Sequence, residues 1–251
     1  MDRSGSRRSA TRRLLVFGRL PEPGRTKTRL APALGAAGAA ELYGAFLDDA
    51  LDGAPDIAPT ELWVPRRPGA RETLASRYPR ARIRLQPDGD LGVRLATAFG
   101  SSFEDGVDHA VAFGSDHPTL PRDYLERAFA ALHSAHLVLG PTRDGGYYTL
   151  GLRRLCWPRA RALFEGAPWS TDGLLGWTRE RAAALDLCHV ELPRWYDVDE
   201  PDDLERLARD LVPGSTTERV WRTLAAAGRG VASPTGGHRP VGPPLPEGSG
   251  P

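Results

Sequence analysis

Apolar positions along the chain switch repeatedly between two periods. Leu14, Leu15, Val16 and Phe17 form one short uninterrupted run, which reads as a buried strand. Between residues 36 and 51, Ala39, Leu42, Tyr43, Phe46, Leu47 and Ala50 recur at steps of three and four or close to it, the spacing of one helix face. The same switch continues downstream. It predicts strands over residues 14–18, 61–64, 82–86, 109–114, 136–140 and 146–152, and an extended stretch over 189–192. Helices are predicted over residues 36–51, 69–77, 91–103, 122–133, 172–185 and 201–211.

Strands alternating with helices imply an α/β fold, a mostly parallel sheet with helices on both faces. No helix separates the strands predicted at 136–140 and 146–152, so one late strand should run antiparallel. Residues 1–13 carry five arginines and three serines without apolar period. Residues 228–251 are rich in Gly, Pro and Ser with few apolar anchors. Neither segment offers enough apolar burial to offset its ordering entropy. The reading is a disordered arm over 1–13, a disordered tail over 228–251, and a single domain over 14–227.

Composition narrows the function classes. The formal net charge is +1 over 251 residues, which is no electrostatic match for nucleic acid. Two cysteines, Cys156 and Cys188, make neither a disulfide framework nor a zinc site. No apolar run is expected to reach the ~20 residues of a membrane span, and no signal-peptide core follows the basic N-terminus. The expectation is a soluble cytoplasmic protein with no membrane partner. One bias matters: of the 33 basic Lys and Arg residues only Lys27 is a lysine. Single arginines therefore say little, and the retained lysine says more.

Ligands of open parallel sheets sit beyond the carboxyl ends of the strands, so the segments after each strand carry the chemistry. After the first strand, residues 19–30 hold Arg19, Arg25, Lys27 and Arg29 against one acid, Glu22, with Pro21, Pro23 and Gly24 stiffening and turning the loop. Cations and free N–H groups ahead of a helix suit phosphate, although neither Walker nor dinucleotide glycine spacing is present. After the third strand, Asp90 is placed to cap the next helix, with Gly89 and Gly92 allowing close backbone approach and Arg94 one turn in. Gly114, Ser115 and Asp116 follow the fourth strand. A carboxylate there suits a hard cation such as Mg2+, or else caps a turn; His117 reads as a turn residue. Thr142 to Tyr148 carry Asp144, able to hold a hydroxyl, the turn glycines Gly145 and Gly146, and Tyr147, able to stack. Trp169, Ser170 and Thr171 form an exposed-looking aromatic and hydroxyl cluster before a helix. Asp197 and Asp199 project to one side of an extended stretch. Asp202 and Asp203 complement a helix start, which leaves Asp199 free as a second metal or ligand carboxylate.

Together these segments resemble a known family. The run Phe17-x-Arg-x-Pro-x-Pro-Gly-x-x-Lys-Thr-Arg-Leu30, Gly89-Asp-Leu-Gly-x-Arg94, Gly114-Ser-Asp-x-Pro118, Gly140-Pro-x-x-Asp-Gly-Gly-Tyr-Tyr148, Trp169-Ser-Thr171 and Asp197-Val-Asp-x-Pro-x-Asp-Leu204 look like bacterial GT-A-type nucleotide-diphospho-sugar transferases encoded beside radical-SAM, selenium or arsenosugar genes. The departures are Arg19 and Leu95, where that family usually shows lysine and methionine. The resemblance implies a Rossmann-like three-layer sandwich and a metal-dependent transferase using Mg2+ or Mn2+. Lys27, Asp116 and Asp144 would be catalytic, and Asp116 and Asp199 would hold the metal. Arg19, Pro23, Gly24, Arg25, Lys27, Arg29, Gly89, Asp90, Arg94 and Ser115 would bind nucleotide and phosphate. Gly145, Gly146, Tyr147, Trp169, Ser170 and Thr171 would bind substrate. Where related enzymes keep an Asp-x-Asp metal motif, only Asp116 is acidic here, so Asp199 or the phosphates must help.

Two reactions fit this frame. One is glycosyl transfer from an NDP-sugar to a small acceptor. The other is nucleotidyl transfer from an NTP to a phosphate or phosphonate acceptor with release of pyrophosphate, and for this the Lys27–Leu30 run also resembles the phospholactate guanylyltransferases. Residue chemistry alone leans to the second, because so cationic a loop exceeds what a diphosphate needs. The family resemblance leans to the first. A third reading, a non-catalytic nucleotide-binding protein, requires Asp116, Asp144 and Asp199 to be purely structural.

Overall fold

The computed structural model describes residues 11–229. The expected arm and tail fall mostly on residues 1–10 and 230–251, outside the described residues. Seven strands form one sheet: β1 (Arg12–Phe17), β2 (Thr60–Val64), β3 (Ala81–Leu85), β4 (His109–Gly114), β5 (Leu137–Pro141), β6 (Tyr147–Arg153) and β7 (His189–Glu191). β1 begins two residues before its expected start, inside the segment read as an arm: Arg12 and Arg13 pair with His109 and Ala110 of β4.

The helices are α1 (Ala31–Leu51), α2 (Ala54–Ile57), α3 (Ala70–Arg77), α4 (Leu91–Glu104), α5 (Arg122–Ala131), α6 (Trp157–Ala160), α7 (Leu174–Ala184), α8 (Asp203–Asp210) and α9 (Thr216–Ala226). α1 is interrupted at Gly35, whose φ of 72° is not helical, so its continuous part is the stretch that periodicity predicted. The segment Thr28–Ile57 is long and apolar enough to cross a membrane, contrary to expectation, but most of it is buried inside the fold. It is the core helix of this domain, with Leu42, Phe46 and Leu47 all at 0% exposure.

The strand order is β3-β2-β1-β4-β6-β5-β7. β1 runs parallel to β2 and β4, β2 to β3, and β5 to β7, while β6 is antiparallel to both β4 and β5. The late antiparallel strand thus sits inside the sheet. One apolar layer, including Val16, Leu62, Val111 and Phe129, packs on one face, and a second, including Leu15, Trp63, Phe99 and Leu150, on the other. Alternate residues of the same strands supply the two layers, as the pleat requires. A third cluster joins α1 to α8 and α9 through Leu34, Phe46, Leu204 and Trp221.

The periodicity reading omitted α9, yet its start carries a capping box. Ser215 Oγ accepts from Glu218 N at 3.0 Å, and Glu218 Oε2 accepts from Gly214 N at 2.7 Å. Ser215→Ala should cost about 1 kcal/mol. In thermal unfolding that is a drop of roughly 2–4 °C for a domain of this size.

Candidate active site

The geometry of the site follows from strand register. Phe17, the last residue of β1, lies beside Gly114, the last of β4. The loops that follow these strands therefore leave the sheet side by side. Ser115 N continues the ladder onto Phe17 O at 3.1 Å. Val198 N donates to Asp116 O at 3.0 Å, which pins the segment after β7 across the end of β4. Asp203 Oδ2 accepts from Asp199 N and Glu200 N at 2.9 and 2.8 Å, the structural role expected of it. These bonds bring Asp116 and Asp199 together from distant parts of the chain.

Between them stands Lys27. Its Nζ lies 2.6 Å from Asp116 Oδ1 and 2.5 Å from Asp199 Oδ1, and its side chain is only 5% exposed. The ammonium also sits 5.9 Å from the ring centroids of both Tyr43 and Phe46, within cation–π range. Lys27 holds the left-handed conformation, φ 49° and ψ 45°, an uncommon choice for a side chain other than Gly, Asn or Asp. Arg25 N and Thr26 N both donate to Glu22 O at 3.1 Å, and Thr26 Oγ1 donates to Leu20 O at 2.6 Å. These bonds fold the loop just ahead of Lys27, and Leu30 N donates to Lys27 O at 2.9 Å just after it.

The electrostatics are coupled. Burial lowers the affinity of Lys27 for its proton, but Asp116 and Asp199 outweigh burial and hold it above its ordinary value. Burial likewise pushes Asp199 up, and Lys27 more than reverses this. Asp197 has no such cation: burial, then its hydrogen bond to Asp199 and the charges of Asp199 and Asp144, push it up to about 7. Tyr43, pushed up to about 12 chiefly by burial, accepts from Arg19 N at 2.7 Å and shares a 2.8 Å hydrogen bond with Ser115 Oγ. It ties the loop to β4. Sequence reading places Tyr43 in a helix core and puts Asp197 on the same side as Asp199 without giving it a role in the site, because neither role is visible from local spacing.

A cleft of about 640 Å³ opens above this cluster. From the β1–α1 loop it is lined by Arg19, Arg25, Thr26, Lys27, Thr28 and Arg29. From the β5–β6 turn and the segment before α7 it is lined by Asp144, Gly146, Ser170, Thr171 and Asp172. The second wall is built backbone to backbone. Leu175 N donates to Gly145 O at 2.8 Å, and Gly145, at φ 87°, lies so close that a Cβ would run into Asp172. Asp144 accepts from the Thr142 hydroxyl and from Gly146 N, which fixes its orientation. Among the described residues neither Asp144 nor Asp172 has a salt-bridge partner, and neither do Arg19 and Arg25, whereas Arg29 pairs with Glu200 at 2.9 Å.

Other expected site residues lie elsewhere. Trp169 is not an exposed platform. Its ring stacks on Phe164 at 6.4 Å and covers Gly92, where a Cβ would meet its Nε1 at 2.7 Å. Tyr147 packs into the same apolar layer, so it does not offer a stacking face to the cleft. Asp90 caps α4 through Val93 N at 2.9 Å. Arg94 donates to Gln86 Oε1 at 3.3 Å while its Nε is buried without a partner. Gly89, Asp90 and Arg94 are outside the cleft lining, and Pro23 and Gly24 shape the loop without lining it. His117, read as a turn residue, is half-buried, and its Nδ1 bonds Tyr196 O at 3.0 Å. It supports the 195–199 segment from beneath.

No group of three or more metal-binding side chains assembles among the described residues. Asp116 and Asp199 nonetheless aim one oxygen each at a common point. Two hard carboxylates with phosphate and water completing the shell is a normal Mg2+ arrangement, so the donor set fits a divalent cation.

Strand order and the internal antiparallel strand are those of the nucleotide-diphospho-sugar transferase fold. A protein from Desulfovibrio desulfuricans G20, provisionally described as a nucleotide-diphospho-sugar transferase, is 30% identical with a TM-score of 0.80, over 87% of this chain and 96% of that one. The chain belongs to the same family as that protein, and its residues 53–171 match the DUF2064 family model, described as an uncharacterized protein conserved in bacteria. Two more distant structures share the fold alone. One is a cytidylyltransferase from Leptospira borgpetersenii, 12% identical with a TM-score of 0.54 over 88% of this chain and 96% of that one. The other is a 4-diphosphocytidyl-2C-methyl-D-erythritol synthase, 12% identical with a TM-score of 0.52 over 78% and 95%. No curated protein matches the sequence.

Proposed function

We propose that this chain transfers a glycosyl group from an NDP-sugar to a small hydroxyl-bearing acceptor, assisted by Mg2+ or Mn2+. The observation that carries this reading is the division of charge across the cleft. The β1–α1 loop presents Arg19 and Arg25 without carboxylate partners among the described residues, whereas the opposite wall presents Asp144 and Asp172 without cations. A diphosphate belongs on the first wall. An acceptor that itself carried a phosphate would be repelled by the second, whereas a neutral hydroxyl compound would not.

The residues then have distinct tasks. Arg19, Arg25 and Lys27 bind the diphosphate and stabilise the charge that grows on it as the sugar leaves. Asp116 and Asp199 would hold the divalent cation, which supplies Lewis-acid stabilisation of the same leaving group. Asp144, oriented by Thr142 and Gly146, takes the proton from the acceptor hydroxyl, and Ser170 and Thr171 hydrogen-bond the acceptor. Asp144→Asn should lower kcat about 10²- to 10³-fold while the KM for donor changes little. A matching rise in donor KM with kcat intact would remove Asp144 from the chemistry.

A second reading is favoured by one feature. Four cations on a single loop suit a triphosphate, hence nucleotidyl transfer to a phosphate or phosphonate acceptor. The two are separated by a thermal-shift screen of NDP-sugars against NTPs with Mg2+. A ligand at 100 times its Kd stabilises by about 2.7 kcal/mol through mass action. Glycosyl transfer predicts that an NDP-sugar gives the largest rise and that turnover releases nucleoside diphosphate. Preferential stabilisation by an NTP, with pyrophosphate release, selects the second reading.

A further inference from the structure

We infer that the Lys27 ammonium occupies the divalent-cation position between Asp116 and Asp199, so that the cation enters only together with a phosphate group that draws Lys27 away. The inference rests on the nucleotide-dependent reading above and adds an order of binding to it. Nζ lies 2.5 and 2.6 Å from the two carboxylate oxygens that would ligate the metal. Mg2+ binds such oxygens at about 2.0–2.1 Å. Ammonium and metal cannot share the position, because steric overlap and like-charge repulsion both exclude it.

Three further observations show that the seat is built for the ammonium. The side chain is 5% exposed. It rests near the faces of Tyr43 and Phe46. Its backbone adopts the left-handed conformation uncommon for lysine, between the hydrogen-bonded 20–26 turn and the Leu30 N to Lys27 O bond. Beside it, Arg29 pairs with Glu200, so a second ion pair latches the same loop to the same segment. A free metal ion must therefore compete with a buried, doubly paired ammonium and strand it without an anion. A metal–phosphate complex brings the replacement: phosphate oxygens can take Lys27 while the metal takes Asp116 and Asp199. Arg19 and Arg25, with no carboxylate partners among the described residues, are placed to bind the incoming phosphates first.

The test is Mn2+ binding by nucleotide-free full-length protein, read as loss of the free-ion EPR signal, with inorganic pyrophosphate as the phosphate probe and equilibrium dialysis to count protein-bound metal. Wild type should bind Mn2+ weakly alone and stoichiometrically with pyrophosphate. Lys27→Met and Lys27→Gln should bind Mn2+ alone at least about tenfold more tightly than wild type, and Asp116→Asn added to Lys27→Met should remove that gain. Tight binding of Mn2+ by wild type without pyrophosphate overturns the inference, and so does equal Mn2+ affinity in wild type and both Lys27 variants. The wild-type comparison stands even if a variant fails to fold. Failure here is distinct from failure of the functional reading: a chain that used no nucleotide would still show the Lys27 effect on Mn2+, and a nucleotide transferase with an open cation site would bind Mn2+ alone.

Discussion

Asp116→Asn should abolish turnover, by about 10²- to 10³-fold or more, while the melting temperature stays close to that of wild type. The two halves have separate causes. The carboxylate is one of two that face the Lys27 ammonium, at 2.6 Å, and it is 42% exposed to the cleft. Removing its charge takes away one of the two carboxylates proposed to hold the cation and leaves Lys27 paired to Asp199 alone. The fold depends on a different atom of the same residue: the backbone carbonyl of Asp116 accepts from Val198 N, and Asn retains it. Steady-state kinetics with the donor identified by thermal shift, beside a calorimetric melt, measure both. Activity within about tenfold of wild type would end the catalytic reading of Asp116. A collapsed melt would show that its side chain is structural.

Lys27→Arg should be nearly as damaging, costing on the order of 10²-fold in kcat/KM, although charge is conserved. Lysine offers a compact charge on a flexible stem, and guanidinium is a larger planar fork. The seat here is closed: two carboxylates within 2.6 Å, 5% exposure, and aromatic rings on Tyr43 and Phe46 beneath. A guanidinium cannot enter without moving the loop, and the loop is fixed by its own turn. Lys27→Met should also lower stability, by ~1–2 kcal/mol, less than a fully buried pair would lose because both carboxylates are 42% exposed. Wild-type kcat/KM in Lys27→Arg would mean the loop needs only positive charge. The composition gives this substitution its interest: of 33 basic residues, the one lysine is here.

Much of the fold was legible in the chain. Two hydrophobic periods distinguish strand from helix through neighbours a few residues apart, and the missing helix between β5 and β6 announced the antiparallel strand. α9 was legible in principle, since Ser215 and Glu218 form a capping box ahead of Trp221 and Leu224. Trp169 was read as exposed because its neighbours are polar and small. Its burial depends on Phe164 and on Gly92, which local pattern does not connect. Tyr43 sits at helical spacing like any core residue, and only the tertiary packing aims its hydroxyl at Ser115 and Arg19.

The sequence by itself determined the order of the strands and of the longer helices between them, and so which residues stand just after strands, because those features depend on contacts along a few residues of chain. It placed Lys27, Asp116, Asp144 and Asp199 each in a segment where a ligand could meet it. Only the tertiary structure decided that Lys27 and Asp199, 172 positions apart, would share one ion pair with Asp116. That convergence follows from the parallel pairing of β1 with β4 and from the bond that lays Val198 across Asp116. Crossover connections separate such partners widely along the chain, so no periodicity records it. The same packing sorted the cleft into a cationic wall and an acidic one, the property from which its chemistry is read.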